Sequence, residues 1–375
     1  PCIYHYVINT EIKLILKINY ITKVQSRMTK PVLTRYLYIY DEACLSLQQS
    51  LLSRASFDEV VFWSNELFSS GYINELWNLI YKIYYNFYAI IYPKYERKIN
   101  KLSQSSTLES MLNCLCILYY SKINTDVFKL YHIRPKLPTK SYTKKPVWLI
   151  EMDIDDKYSN FMIALHKNHH INMMYHMNHF HDYKKVYNIV KRYFREIHGM
   201  QLSDKSWEYV RCSDIRHLTI ALILYLKRDA SNITKKNIFR KYSHDQYIEQ
   251  IKQDNDPVKQ KYKTLPNRLR YPISNKLGCF KLNRQNLKCS VSEMLWYHWE
   301  YFAYNCPLWK KRFDKYKIKI NDELKKIEFE NVDEEEEFYE QWYYEPDEQS
   351  KEVQDRIISK IPSISILDWL KLVKN

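Results

Sequence analysis

The sequence predicts an all-α, or predominantly α, protein: an irregular array of helical hairpins that ends in an acidic, partly irregular C-terminal arm. Three observations lead there. Glycine occurs only three times in 375 residues, at Gly71, Gly199 and Gly278, which argues against glycine-cradled phosphate loops, a Rossmann turn or a sandwich made of many tight hairpins. Apolar residues recur at intervals of three and four through most of the chain, the period of a helix face. Start signals precede several of these runs, and Gly or Pro follows them. A hydrophobic content of 46% with 15% aromatics supplies a core and argues against a disordered chain.

Residues 1–27 contain Lys13 and Lys17 where a secretory leader needs an unbroken apolar run, and Met28 precedes the organised part. They are expected to be a non-native or disordered leader. An N-terminal helical domain follows over 28–133. The run Tyr40-Asp41-Glu42-Ala43-Cys44-Leu45 opens its first helix. Ser56 then caps a second helix near Phe57, with Glu59 three residues on completing a capping box and Gly71 supplying the left-handed stop after Ser70. A third runs from about Asn74 to Ile91, with Leu76, Leu79, Ile80, Ile83 and Phe87 on one side and Pro93 beyond it. Shorter helices are expected over 108–120 and 125–131. A linker over 134–147 carries Pro135, Pro138 and Pro146, and helical spacing resumes in a second helical domain over 148–256. A basic connector (257–290), an aromatic helical segment (291–320) and the acidic arm (321–375) complete the chain. No strict repeat length is visible, so the succession reads as an irregular array rather than a closed bundle.

Charge is unevenly spread. Against a net +15, residues 321–350 hold 13 of the 43 acidic side chains with only Lys325 and Lys326 as cations, so the rest of the chain carries 56 basic and 30 acidic residues. Two stretches concentrate the excess. One is Lys129 to Lys145, with no carboxylate between Asp126 and Glu151. The other is the connector, where Lys259, Lys261, Lys263, Arg268, Arg270, Lys276, Lys281, Arg284 and Lys288 are interleaved with Tyr262, Tyr271 and Phe280. Cations plus aromatics can hold phosphates and stack on bases, so these nine residues are the candidate nucleic-acid contacts. The competing reading is a solvated linker, or a surface on which the acidic arm docks. In that arm Phe338, Tyr339, Trp342 and Tyr343 sit among carboxylates, a mixture suited to docking on a partner or on the chain itself.

Other chemistry is weaker. The eight cysteines lie scattered without a C-x-x-C pair, which reads as reduced thiols in an intracellular protein, and no 18-residue apolar run exists to span a membrane. His166, His169, His170, His176, His179 and His181 cluster, and the first three would share one side if that segment were a continuous helix. No zinc signature accompanies them, so no metal or cofactor is expected. Glu151, Asp153, Asp155 and Asp156 could chelate Mg²⁺ in a nuclease. A helix start explains Asp155 and Asp156 more simply, since the apolar pattern begins at Tyr158.

The run from Tyr40 to Tyr88, the block Asp156-Lys157-Tyr158-Ser159-Asn160-Phe161-Met162-Ile163-Ala164-Leu165-His166-Lys167, and Tyr297-His298-Trp299-Glu300-Tyr301-Phe302 to Arg312, with Phe338-Tyr339-Glu340 to Gln349, resemble an uncharacterised protein family of nucleocytoplasmic large DNA viruses, across roughly residues 28–350. The abundance of Ile, Asn, Lys and Tyr fits the AT-rich genomes of such viruses. The resemblance implies a viral setting, in the host cytoplasm, virus factory or virion, and carries no catalytic residue. The expected function is a non-enzymatic interaction protein that binds nucleic acid, or a viral or host protein, through a basic segment. The alternatives are a virion or capsid-associated scaffold and a metal-dependent nuclease.

Overall fold

The computed structural model describes residues 31–200, 207, 215–228, 247, 251–252, 270–342, 346 and 349–373. The leader expected over 1–27 lies outside them. Among the described residues, seventeen α-helices, one 3-10 turn and one two-stranded antiparallel hairpin make a predominantly α fold.

Local signals set several of the first boundaries. Helix α1 (Tyr40–Ser53) leads into α2 (Phe57–Ser69), where Ser56 Oγ accepts the Glu59 N–H at 3.3 Å. The Glu59 carboxylate is turned the other way and accepts the Trp63 indole N–H at 3.2 Å, so one half of the expected capping box forms. Gly71 takes φ +91°, and a Cβ there would lie 2.7 Å from Pro307 Cβ, so the turn and the close approach both require glycine. Helix α3 (Ile73–Phe87) stops short of the expected Ile91. The Tyr84 hydroxyl donates across the bend to the Tyr92 carbonyl at 3.0 Å, and Pro93 lies beyond the end. Helices α4 (Tyr95–Ser103), α5 (Leu108–Tyr119) and α6 (Asp126–His132) follow, with Thr107 capping α5.

Beyond the non-helical 134–146 segment come α7 (Val147–Glu151), α8 (Asp156–His166), α9 (His170–Met177), α10 (Tyr183–His198) and α11 (Ile215–Leu226). Asp155 and Asp182 cap α8 and α10 by accepting the Lys157 and Lys185 N–H groups. The helix-start reading of Asp155 therefore holds. Helix α11 is buried along nearly all its length because α3, α6 and α10 all pack on it. Buried side chains from both sides of the 134–146 segment belong to one continuous core.

The C-terminal part departs most from expectation. The aromatic helical segment expected over 291–320 begins with two helices, α12 (Val291–Tyr297) and α13 (Trp299–Ala303), separated where His298 leaves helical geometry at φ −141°. Pro307 opens α14 (Pro307–Phe313), where its missing N–H costs nothing. A hairpin then pairs β1 (Ile318–Asn321) with β2 (Lys326–Phe329), Ile318 opposite Phe329 and Asn321 opposite Lys326. Its turn uses Lys325 at φ +52° in place of a glycine, while Asn321 Oδ1 accepts the Leu324 N–H at 3.0 Å. Helices α15 (Val332–Trp342), α16 (Lys351–Ile358) and α17 (Ile366–Leu372) end the described chain. The segment expected to be an acidic arm is thus folded back. Trp369 is fully buried against Phe87, Phe128 and Phe280, with ring centroids 6.4, 4.9 and 5.1 Å away. Residues 362–363 cross so close to Gly278 that a Cβ there would meet the Pro362 carbonyl oxygen at 1.9 Å.

Burial of His170 makes its own share of the stability acid-sensitive. Burial, aided by Lys227 and His169 and opposed by Asp126, pushes His170 from 6.5 down to about 4. The unfolded chain therefore takes up this proton at higher pH than the folded one. The stability linked to His170 is fully present above pH 6.5 and is lost as pH falls towards 4, with a slope approaching about 1.4 kcal/mol per pH unit. Asp41 works against it: burial raises that carboxyl to about 6, so the folded state binds that proton first. Between pH 7 and pH 4 the urea midpoint of the wild type should drop relative to that of His170→Asn; parallel pH profiles would remove His170 as a source of acid sensitivity.

Candidate nucleic-acid interface

The expected connector contacts divide into three groups. Lys259, Lys261, Lys263 and Arg268 lie outside the described residues. Arg270, Lys276, Lys281 and Lys288 are exposed, the Arg270 guanidinium lying over the Tyr271 ring at 4.8 Å. Tyr271 is itself buried and stacked on Phe62 at 4.1 Å, so it is a core residue and not an open platform. Arg284 differs from the rest. Its Nε and second terminal nitrogen grip the two oxygens of buried Glu42 at 2.5 and 2.7 Å, and its remaining nitrogen donates to the Ser359 carbonyl at 2.7 Å. The neighbouring Asn283 N–H donates to Asp41 Oδ2 at 2.7 Å. Arg284, expected to meet a phosphate, is occupied inside the protein instead, as the counter-charge of a carboxylate that is 1% exposed.

The expected partner-binding aromatics also turn inward. Phe338 is fully buried and stacks on Phe313 at 4.5 Å, with Tyr316 and Phe329 around it. The Tyr339 hydroxyl donates to Glu300, and Trp342 lies on the Arg312 guanidinium, whose other side faces Trp309. Tyr343 is outside the described residues. The docking expected of the acidic segment is therefore met by its own chain, on apolar rings rather than on a broad basic surface. Glu335, Glu336 and Glu337 stay exposed.

The second basic stretch has more shape than its sequence suggests. Asn172, in the first turn of α9 and fully buried, holds the 139–142 backbone: its Oδ1 accepts the Thr139 N–H and hydroxyl at 2.8 and 2.7 Å, and its Nδ2 donates to the Lys140 carbonyl at 2.6 Å. This fixes the irregular 139–142 segment, which carries Lys140, near the turn between α8 and α9. There Lys140 Nζ donates to His169 Nε2 at 3.1 Å, and His169 Nδ1 lies 2.8 Å from the Tyr142 hydroxyl. An ammonium can only donate, so Nε2 accepts and the neutral ring carries its proton on Nδ1, towards Tyr142. Burial, Lys140 and Lys167 hold His169 below the usual imidazole range, in keeping with that neutral form. The Tyr142 and His169 rings are nearly parallel, 8° apart with centroids at 6.1 Å, and Lys167 Nζ lies 5.5 Å from the Tyr142 centroid.

A second aromatic group adjoins it. Trp148 in α7 packs on His166 at 5.0 Å and on Tyr193 at 5.2 Å. The Tyr193 hydroxyl bridges His166 Nδ1 at 2.8 Å and His198 Nε2 at 2.9 Å. Lys227, lowered to about 8 by burial, donates to the Leu165 carbonyl and to Asn168 Oδ1, closing the end of α8. The one-sided histidine row is not formed, because α8 ends at His166 and Asn168 turns the chain at φ +57°. His166 and His169 thus serve different neighbours, and His170 is in the core. Among the described residues no group of three or more His, Cys, Asp or Glu could hold a metal ion. The carboxylates of 151–156 scatter likewise: Asp155 caps α8 and Asp156 pairs with Lys145.

The residues that sequence reasoning missed here are Asn172, Tyr142 and Trp148. The absence of carboxylates between 126 and 151 marked the stretch, but nothing in the spacing of Asn172 announced a clamp. No protein family, curated relative or solved structure matches the chain. No helix among the described residues is long and apolar enough to cross a membrane.

Proposed function

We propose that the protein is a non-enzymatic nucleic-acid-binding protein whose contact surface is the 134–145 segment together with the turn between α8 and α9. The observation that supports this best is the fixed grouping of Lys140, Lys167, Tyr142 and His169, held by buried Asn172, with no carboxylate of the described residues bonded to either lysine. Lys136 and Lys144 are exposed on the same segment, whereas Lys145 is paired with Asp156. Cations brought together without anionic partners repel one another, and a row of phosphates relieves that repulsion. A setting in a large DNA virus belongs to this reading on the strength of the sequence resemblance. The exposed connector lysines would extend the same positive field.

Fluorescence anisotropy with a labelled oligonucleotide, repeated across salt concentrations, tests it. Replacing Lys136, Lys140, Lys144 and Lys167 together with alanine is expected to weaken binding and to reduce the slope of log K against log salt by about 2–4, near one unit per lost phosphate contact. Replacing Lys259, Lys261 and Lys263 should have the smaller effect. Unchanged affinity and slope in the first variant would remove the proposal.

A further inference from the structure

We propose that this surface receives unpaired bases, so that its ligand is single-stranded nucleic acid rather than a duplex; the inference rests on the nucleic-acid reading above. The segment carries two aromatic platforms in addition to its cations. At one end Tyr142 lies half-buried beside His169, and at the other Trp148 lies half-buried against His166 and Tyr193. Both rings are fixed from behind: the Tyr142 hydroxyl accepts from Asn172 Nδ2 at 3.1 Å, and Trp148 rests on a phenol bridged between two imidazoles. A ring held in place loses little freedom when a base stacks on it, which is why pre-set aromatics suit strands whose bases are already splayed.

The cations lie where the strand backbone would run. Lys144 is exposed on the chain that joins the two platforms, Lys140 is exposed two residues before Tyr142, and Lys167 stands over Tyr142. Tyr142 and Trp148 are six positions apart, so the platforms are separated by at most about 20 Å of extended chain, the reach of a few nucleotides. Apolar surface accompanies them, since Leu137, Val147 and Ile150 are 75%, 69% and 63% exposed on the same stretch. A duplex offers its phosphates to these lysines but keeps its base faces stacked inside, leaving both platforms and the apolar side chains without a partner. A single strand uses all three kinds of group.

Anisotropy titrations of the full chain at one salt concentration, with labelled oligo-dT, oligo-U and a duplex of equal length, decide the matter. Both single strands are expected to bind at least about tenfold more tightly than the duplex. Tyr142→Ala and Trp148→Ala should each weaken the single strands by about fivefold to a hundredfold and leave the duplex almost unchanged, while Tyr142→Phe and Trp148→Phe, which keep a ring, should retain most of the affinity. Circular dichroism of each variant guards against loss of fold. Equal or tighter binding of the duplex, or alanine variants that lower both ligands alike, would overturn the preference while leaving nucleic-acid binding intact. No binding of any of the three by the wild-type chain would overturn both.

Discussion

Replacing Arg284 with alanine is expected to lower folding stability by about 3–5 kcal/mol, because it strands the Glu42 carboxylate in the core without a counter-charge. Glu42 is 1% exposed and both its oxygens are gripped by Arg284. The same guanidinium reaches the Ser359 carbonyl, so three parts of the chain that are distant in sequence lose a common anchor. Chemical denaturation followed by circular dichroism reads the loss. Arg284→Met with Glu42→Leu should recover much of it, since removing both partners leaves no charge to solvate. The experiment also separates two roles for one residue. A phosphate contact would cost affinity and spare stability, whereas a clamp costs stability first, and a variant as stable as wild type would refute the clamp.

Trp369→Ala is the second large effect, at about 3–5 kcal/mol for a fully enclosed indole. Its ring fills a space bounded by Phe87 of α3, Phe128 of α6 and Phe280 of the connector. Deleting it opens a cavity where helices from both halves of the chain meet. The expected result is a lower denaturation midpoint with a single transition, because the core is continuous across these elements. A midpoint unchanged by the substitution would show that α17 is an appendage.

How far the sequence could be read depended on the range of the forces involved. Helix starts at Ser56, Thr107 and Asp155 rest on atoms two or three residues away, and the sequence displays them. The scarcity of glycine correctly pointed to a mostly helical fold, yet the hairpin at 318–329 formed with a lysine in the left-handed position. Long-range pairing was invisible. Nothing near Arg284 names Glu42 as its partner, and the aromatics of the acidic segment gave no sign that Phe338 would stack on Phe313. At the candidate interface the charge excess was legible, whereas the clamp by Asn172 depends on how α9 meets a segment thirty residues before it.

The grip of Arg284 on Glu42 joins residues 242 positions apart, and Trp369 closes on Phe87 across a still longer interval. During synthesis the early helices leave the ribosome with a bare carboxylate and an open aromatic hollow; the first stays that way until the connector is made, the second until α17 is. Contacts this distant slow folding and prolong the exposure of sticky surface. Newly made chains should therefore lean on chaperones late in translation, and premature termination before the final helices should yield products that clump rather than shorter versions that work.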